Sequence, residues 1–244
     1  MPPRTIPLSL TFRESRPDAA PVAFGRDGTR SHADLARDVA ALVAAVSEFP
    51  AGRWLLDTEN TYAAVVGLLA LAQTGSVALL ATNRQPETLR RLRPRLVGGL
   101  IDPARDASAL AGLPRLAPLA QPPAPAPVWR MDRDAPFAEL ETSGTSGEGR
   151  WIPKALRHLE DEIATLEGVF GARLPHAAQV FATVSHQHIY GLLFRALWPL
   201  CAGRAFHTNL LLLPQSNLKK ITITYFFYGV WFGEAPSASA EGAF

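Results

Sequence analysis

Residues 141–154 read ETSGTSGEGRWIPK. Six consecutive positions, Thr142, Ser143, Gly144, Thr145, Ser146 and Gly147, supply hydroxyl donors and two glycines that let the backbone turn tightly around a ligand. Arg150 and Lys154 follow as cations, and a helix is expected to begin near Lys154, where its first N–H groups favour an anion. This chemistry suits a polyphosphate. The same composition suits a polar surface loop, and composition alone does not separate the two.

Three other motifs can be tested on these residues. The nucleotide pattern G-x-x-x-x-G-K-[ST] almost occurs as GTSGEGRW, but Arg150 replaces the lysine and Trp151 replaces the hydroxyl that would ligate magnesium. The dinucleotide pattern G-x-G-x-x-G fails on spacing. The esterase pattern G-x-S-x-G fails because Glu148 stands at its last glycine. Elsewhere, His186 and His188 form only an i, i+2 pair with no carboxylate or thiol beside them, a weak metal site, and no metal is assigned. His188 is read either as a site residue or as an ordinary polar residue at the end of a strand. Cys201 lies in the apolar run ALWPLCAG and reads as buried filler. Glu160, Asp161 and Glu162 read as a solvated helix face, as does the arginine run RRLRPR at 90–95.

The elements that must carry these residues alternate. Ser31 and Asp34 have capping-box spacing ahead of an apolar stripe at Leu35, Val39, Leu42, Val43 and Val46. RWLLD reads as a strand, then a helix ending near Gly75, the strand SVALLA, a helix opening at Pro86 and the strand GGLID. ALRHLEDEIATLEGVF is amphipathic, and AQVFATV is a strand running into SHQHIYGLLFRALWPL. This alternation predicts an α/β fold with a mostly parallel sheet flanked by helices. The proline-rich stretch 113–130 is expected to cross the surface in extended form. The apolar run 62–81 is broken by QTGS, so it reads as a buried helix and strand rather than a membrane span. A net charge of +2 gives no argument for nucleic acid or for a membrane partner. A single cysteine and the absence of a signal-like N-terminus fit a cytoplasmic setting.

TSGTSG followed by a basic residue resembles the phosphate loop of the adenylate-forming superfamily, which includes acyl-CoA synthetases, aryl-acid ligases and peptide-synthetase adenylation domains. Family members read Thr-Ser-Gly-Thr-Thr-Gly, one variable residue, then Pro-Lys. The stretches PVAFGRDGTRSHADLARDVAALVAAV, ENTYAAVVGLLALAQTGSVALLATNRQPETL and ATVSHQHIYGLL resemble further parts of the same fold, in the same order, over about residues 10–209. IPKALRHLEDEIATLE is similar to a subgroup associated with aryl-polyene and related carrier-protein pathways, whose loop is longer and ends in Ile-Pro-Lys. Without a gap, Arg150 takes the place of the family lysine; with a four-residue insertion, Lys154 does. Lys154 is preferred and Arg150 is kept as the second choice.

The resemblance implies ATP-dependent activation of a small carboxylic acid, fatty or aryl, as an acyl-adenylate. The acyl group then passes to a thiol of coenzyme A or of a carrier-protein phosphopantetheine. Thr142 to Gly147 and Arg150 would hold the phosphates, Lys154 would add charge, His188 would lie beside the acyl carboxylate, and magnesium would arrive with ATP. The family's Tyr-Gly-x-Thr-Glu stretch, its ribose aspartate and its C-terminal lysine are not recognisable after residue 209. All arginines lie at or before Arg204, whereas Lys219 and Lys220 stand in a Leu-, Thr- and Phe-rich segment, so 210–244 reads as an atypical tail, frameshifted or foreign. The expectation is therefore an incomplete AMP-binding domain over 1–209, truncated and inactive alone. A non-catalytic nucleotide-binding or interaction half-domain is the alternative.

Overall fold

The Ser31–Asp34 spacing forms a reciprocal cap. In the computed structural model, which describes residues 5–14, 16–142, 150–175, 177–210, 223–227 and 230–233, the Ser31 N–H donates to Asp34 Oδ2 at 2.8 Å. The Asp34 N–H donates in turn to Ser31 Oγ at 3.1 Å. Both donors would otherwise be left open at the start of a helix.

In chain order the elements are β1 (Pro21–Gly25), β2 (Gly28–Ser31), α1 (His32–Val46), β3 (Arg53–Asp57), α2 (Thr61–Gln73), β4 (Val77–Leu80), α3 (Pro86–Leu92), β5 (Gly98–Ile101) and β6 (Arg115–Leu116). Then come β7 (Pro136–Thr142), β8 (Arg150–Ala155), α4 (Leu156–Phe170), β9 (Gln179–Ala182), α5 (Ile189–Gly191), a π-helical segment Leu192–Leu197, α6 (Trp198–Ala202), β10 (Phe206–His207), β11 (Ile223–Phe227) and β12 (Val230–Gly233). Gly75 ends α2 in the left-handed region at φ 68°. Its N–H donates to Ala72 O at 3.2 Å, and the Ser76 N–H donates to Leu71 O at 2.8 Å. These two bonds close the helix and release the chain into β4. Among the described residues no helix is long and apolar enough to cross a membrane.

The chain divides into two compact units. One comprises Met1–Asp34, Asn60–Tyr62 and Glu160–Phe244, the other Leu35–Glu59 and Ala63–Leu159. The expected α/β fold with a mostly parallel sheet flanked by helices is found in the second unit, and the first unit carries a sheet of its own. The second unit's sheet runs β6-β5-β3-β4-β7-β8 and is parallel except for β8. Leu56 and Leu100 on one face meet α2 at Gly67. Leu55 and Leu79 on the other join a core with Leu89 and Leu92 of α3. Helices thus cover both faces, as a parallel sheet requires.

The first unit's sheet runs β11-β12-β9-β10-β1-β2, parallel at its centre and antiparallel at both margins. Residues beyond 209 contribute two of its strands, β11 and β12. β12 pairs with β9 from Val230↔Ala182 to Gly233↔Gln179. Val230 and Phe232 are buried, and the Phe232 ring lies 5.2 Å from that of Trp198.

Glu160 departs from the solvated face expected of it. It is buried and its Oε1 accepts the Ser9 N–H at 2.8 Å.

Candidate functional site

β7 runs parallel to β4, and β4 to β3, so Thr142 lies at the carboxyl edge of the second unit's sheet. That is the edge at which open α/β sheets bind ligands. β7 and β8 form an antiparallel hairpin in which Thr142 faces Arg150, and Thr142 Oγ1 donates to the Arg150 carbonyl at 3.1 Å. Ser143, Gly144, Thr145, Ser146 and Gly147 lie outside the described residues, so the loop is known by its two ends. Arg150 is exposed at one of them. Lys154 is half-buried opposite Ala138, four residues further along β8. At roughly 3.3 Å per strand residue, it stands about 13 Å from Arg150 along the strand. Alternation puts Arg150, Ile152 and Lys154 on one face of the edge strand.

The opposite face of β7 carries two buried carboxylates that the sequence reading missed. Glu139 accepts from Arg53 Nε at 2.6 Å and also from Arg95 Nη2. The Arg95 guanidinium lies 5.1 Å from the centre of the Trp151 ring. Glu141 Oε2 accepts from both the N–H and the hydroxyl of Thr82, each at 3.0 Å, and its Oε1 lies 3.4 Å from Arg91 Nη2. Arg93 donates to the Ala111 carbonyl. The arginines of the 90–95 run are exposed, as expected of a solvated face, and Arg91, Arg93 and Arg95 also reach protein acceptors. The signal was present in PFAELET, where two glutamates share the face of a strand that otherwise alternates apolar residues.

A second charged group occupies the same edge. Asp57 ends β3 and binds Arg84 Nε at 2.6 Å and Arg105 Nη1 at 3.3 Å. Arg105 also reaches Glu59 at 3.0 Å, and the Glu59 N–H donates to Asp102 at 2.6 Å. Burial raises the Asp102 carboxyl above its usual range. These charges pair with one another, while Arg105 Nε, 3.8 Å from Asp102 Oδ2, makes no hydrogen bond among the described residues.

His188 belongs to the first unit. It is exposed immediately before α5, and its N–H donates to the Ser185 carbonyl at 3.2 Å. His186 is buried, with Nδ1 3.4 Å from Thr61 Oγ1. The turn between them is held from below. A Cβ at Gly191 would fall on the Ser185 carbonyl oxygen, so the glycine of the His-x-x-Gly stretch is a steric requirement. Arg195, in the π-helical segment, is buried and donates to Val184 O at 3.2 Å and Thr208 O at 3.3 Å. Burial lowers its pKa to about 10. Burial likewise holds the His207 imidazole below its usual range, and pushes the Cys201 thiol up, consistent with an inert core cysteine. Among the described residues no three His, Cys, Asp or Glu side chains are grouped to hold a metal ion.

No protein-family model and no curated protein matches the sequence. Solved structures do. ATP-bound MatB from Rhodopseudomonas palustris superposes with a TM-score of 0.73 at 20% identity, over 88% of this chain and 47% of that one. O-succinylbenzoate coenzyme A synthetase (MenE) from Bacillus subtilis, in complex with AMP, gives 0.70 at 17% identity, over 87% and 57%. The nonribosomal peptide synthetase FmoA3 gives 0.70 at 15% identity, over 90% and 24%. The chain therefore spans about half the length, or less, of these adenylate-forming enzymes. At such identities the likeness is one of architecture: this chain has the fold of part of the N-terminal domain of the adenylate-forming superfamily.

Proposed function

We propose that this chain serves the ATP-dependent activation of a small carboxylic acid, fatty or aryl, and that the loop joining β7 to β8 holds the β- and γ-phosphates of ATP. One observation carries the reading. The two ends of a Gly-, Ser- and Thr-rich loop are held in register at the ligand-binding edge of a parallel sheet, with an exposed guanidinium at the base. In this reaction a carboxylate oxygen bonds to the α-phosphorus, the bond from that phosphorus to the bridging oxygen breaks, and pyrophosphate leaves. A thiol sulfur of coenzyme A or of a carrier-protein phosphopantetheine then bonds to the acyl carbon and AMP leaves. The protein's work is to orient the reactants and to stabilise charge on the phosphoryl oxygens.

In the proposed assignment Thr142 to Gly147 donate to phosphate oxygens, Arg150 is the cation at the loop, Lys154 adds longer-range charge and His188 orients the acid. Magnesium enters as part of the nucleotide substrate. The Ile-Pro-Lys resemblance favours an acyl carrier protein as acceptor, in the cytoplasm. No stretch of this sequence resembles the family's adenine, ribose or acyl-transfer groups, so the proposed activity of the chain by itself is nucleotide binding. Equilibrium dialysis of ATP, together with carboxylate-dependent exchange of pyrophosphate into ATP, tests this. Saturable binding without exchange is expected. Exchange would make the chain a working ligase, and neither binding nor exchange would overturn the reading.

A further inference from the structure

Nineteen residues, 117–135, join β6 to β7 within the second unit. The two strands stand four places apart in the sheet, and through the strand registers Leu116 lies level with Leu140, four residues above Pro136. At about 4.8 Å per strand and about 3.3 Å per residue, the ends are about 23 Å apart in a straight line. An extended chain rising about 3.1 Å per residue covers that in about eight residues. The connection is more than twice as long, and ordered connections of this length without helix or strand are uncommon and usually functional.

Its middle is stiff. Proline fixes φ at positions 122, 123, 125 and 127, and Gln121, Pro122, Ala124 and Ala126 each precede a proline, which disfavours helical backbone. Together these restrictions favour polyproline II, with three residues per turn, over 121–127. Exposure follows that period. Gln121, Ala124 and Pro127 are partly buried, whereas Pro122, Pro123, Pro125, Ala126 and Val128 are exposed. Both ends are tied to the unit. Gln121 Nε2 donates to the Ala117 carbonyl at 2.7 Å. Gln73, the last residue of α2, donates to the Val128 carbonyl at 2.6 Å and accepts the Arg130 N–H at 2.9 Å. One edge of the extended helix therefore rests on the unit, and a ridge of Pro122, Pro125 and Val128 faces outward. Val128 is 73% exposed, and the exposed Arg130 follows the ridge.

We propose that residues 121–130 are a docking segment for a partner protein whose groove is lined by aromatic side chains and carries a carboxylate at one end for Arg130. Aromatic-lined grooves read polyproline II by its exposed ridges. A ridge already held in that form loses little entropy on binding. The proposal does not depend on the nucleotide reading above.

The full chain, titrated into a panel of isotope-labelled SH3, WW and EVH1 domains, tests it, because chemical-shift changes report both affinity and whether the aromatic groove is the surface used. At least one domain should bind saturably through its groove. Positions 122 and 125 are exposed, so the fold does not depend on them, and the double variant Pro122→Ala/Pro125→Ala should weaken binding by about tenfold or more. Gln73→Ala keeps the ridge but removes its tie, and should weaken binding by about threefold. Arg130→Ala should do the same at low salt and less at high salt. Saturable binding by none of the domains overturns the proposal. Binding that survives the double variant places the contact elsewhere and also overturns it. Binding lost in the double variant but unchanged by Gln73→Ala overturns the part assigned to the tie, and an unchanged affinity for Arg130→Ala overturns the carboxylate assigned to the groove.

Discussion

Substituting Arg150 and Lys154 separately by alanine decides which cation serves the loop. Arg150 pairs with Thr142 at the base of the hairpin, and Lys154 pairs with Ala138, four residues away. A phosphate in contact with Arg150 is about 4 Å from a unit positive charge, worth about 4 kcal/mol at an effective dielectric constant of 20. Lys154 starts about 13 Å further along the strand. Even if its side chain leans toward the loop, a separation near 10 Å leaves about 1.7 kcal/mol. Ionic screening over a Debye length of about 8 Å reduces these to about 2.5 and 0.5 kcal/mol. Part of the first is offset by desolvation of an exposed guanidinium. Arg150→Ala should therefore weaken ATP and tripolyphosphate by about 10- to 50-fold at physiological salt, and Lys154→Ala by about two- to threefold. Equilibrium dialysis of both ligands, repeated at higher salt to reduce the Arg150 effect, measures this. A larger loss for Lys154→Ala would refute the argument from strand register and restore the four-residue insertion that makes Lys154 the loop lysine.

Three further outcomes follow from the first unit. Glu167 grips the buried Arg204 with two bonds, at 2.7 and 3.0 Å, and takes the Trp198 indole N–H at 2.6 Å. Glu167→Ala should cost about 3–5 kcal/mol in urea unfolding, and adding Arg204→Met should recover most of that loss; a double variant as weak as the single would refute the account. Gly191→Ala sets a methyl against backbone atoms of Ser185 and His186, which cannot rotate away, and should cost at least about 1–3 kcal/mol; an unchanged urea midpoint would count against the steric reading. His32 and His207 are both held below their ordinary pKa by burial, so the unfolded chain binds protons more readily. Their stabilisation is present above the ordinary histidine value of about 6.5 and is lost as pH falls through the lowered folded values; His207→Gln should flatten that acid slope, and parallel curves for the variant and wild type would disprove it.

Elements governed by near neighbours were legible from the sequence. The Ser31–Asp34 cap, the Gly75 terminus of α2 and the apolar stripe of α4 each depend on contacts within a few residues, and each forms where its local pattern lies. The division into two sheets was not legible, because it depends on pairings such as Ala23↔Phe206, whose partners lie far apart in the chain. Glu160 shows why charge misled. It stands four residues after Leu156 and three before Ile163, on the buried stripe by spacing, yet its neighbours Asp161 and Glu162 make the segment look solvated. Its partner is the Ser9 N–H, far away in the chain. Glu139 and Glu141 repeat the case on a strand, with arginines from β3 and from residues 91–95 as partners. A charged residue at a buried phase of a helix or strand therefore implies a polar partner that its local sequence cannot name. The candidate site has the same limit. The proposed choice between Arg150 and Lys154 rests on distance along β8, which only the hairpin register with β7 supplies.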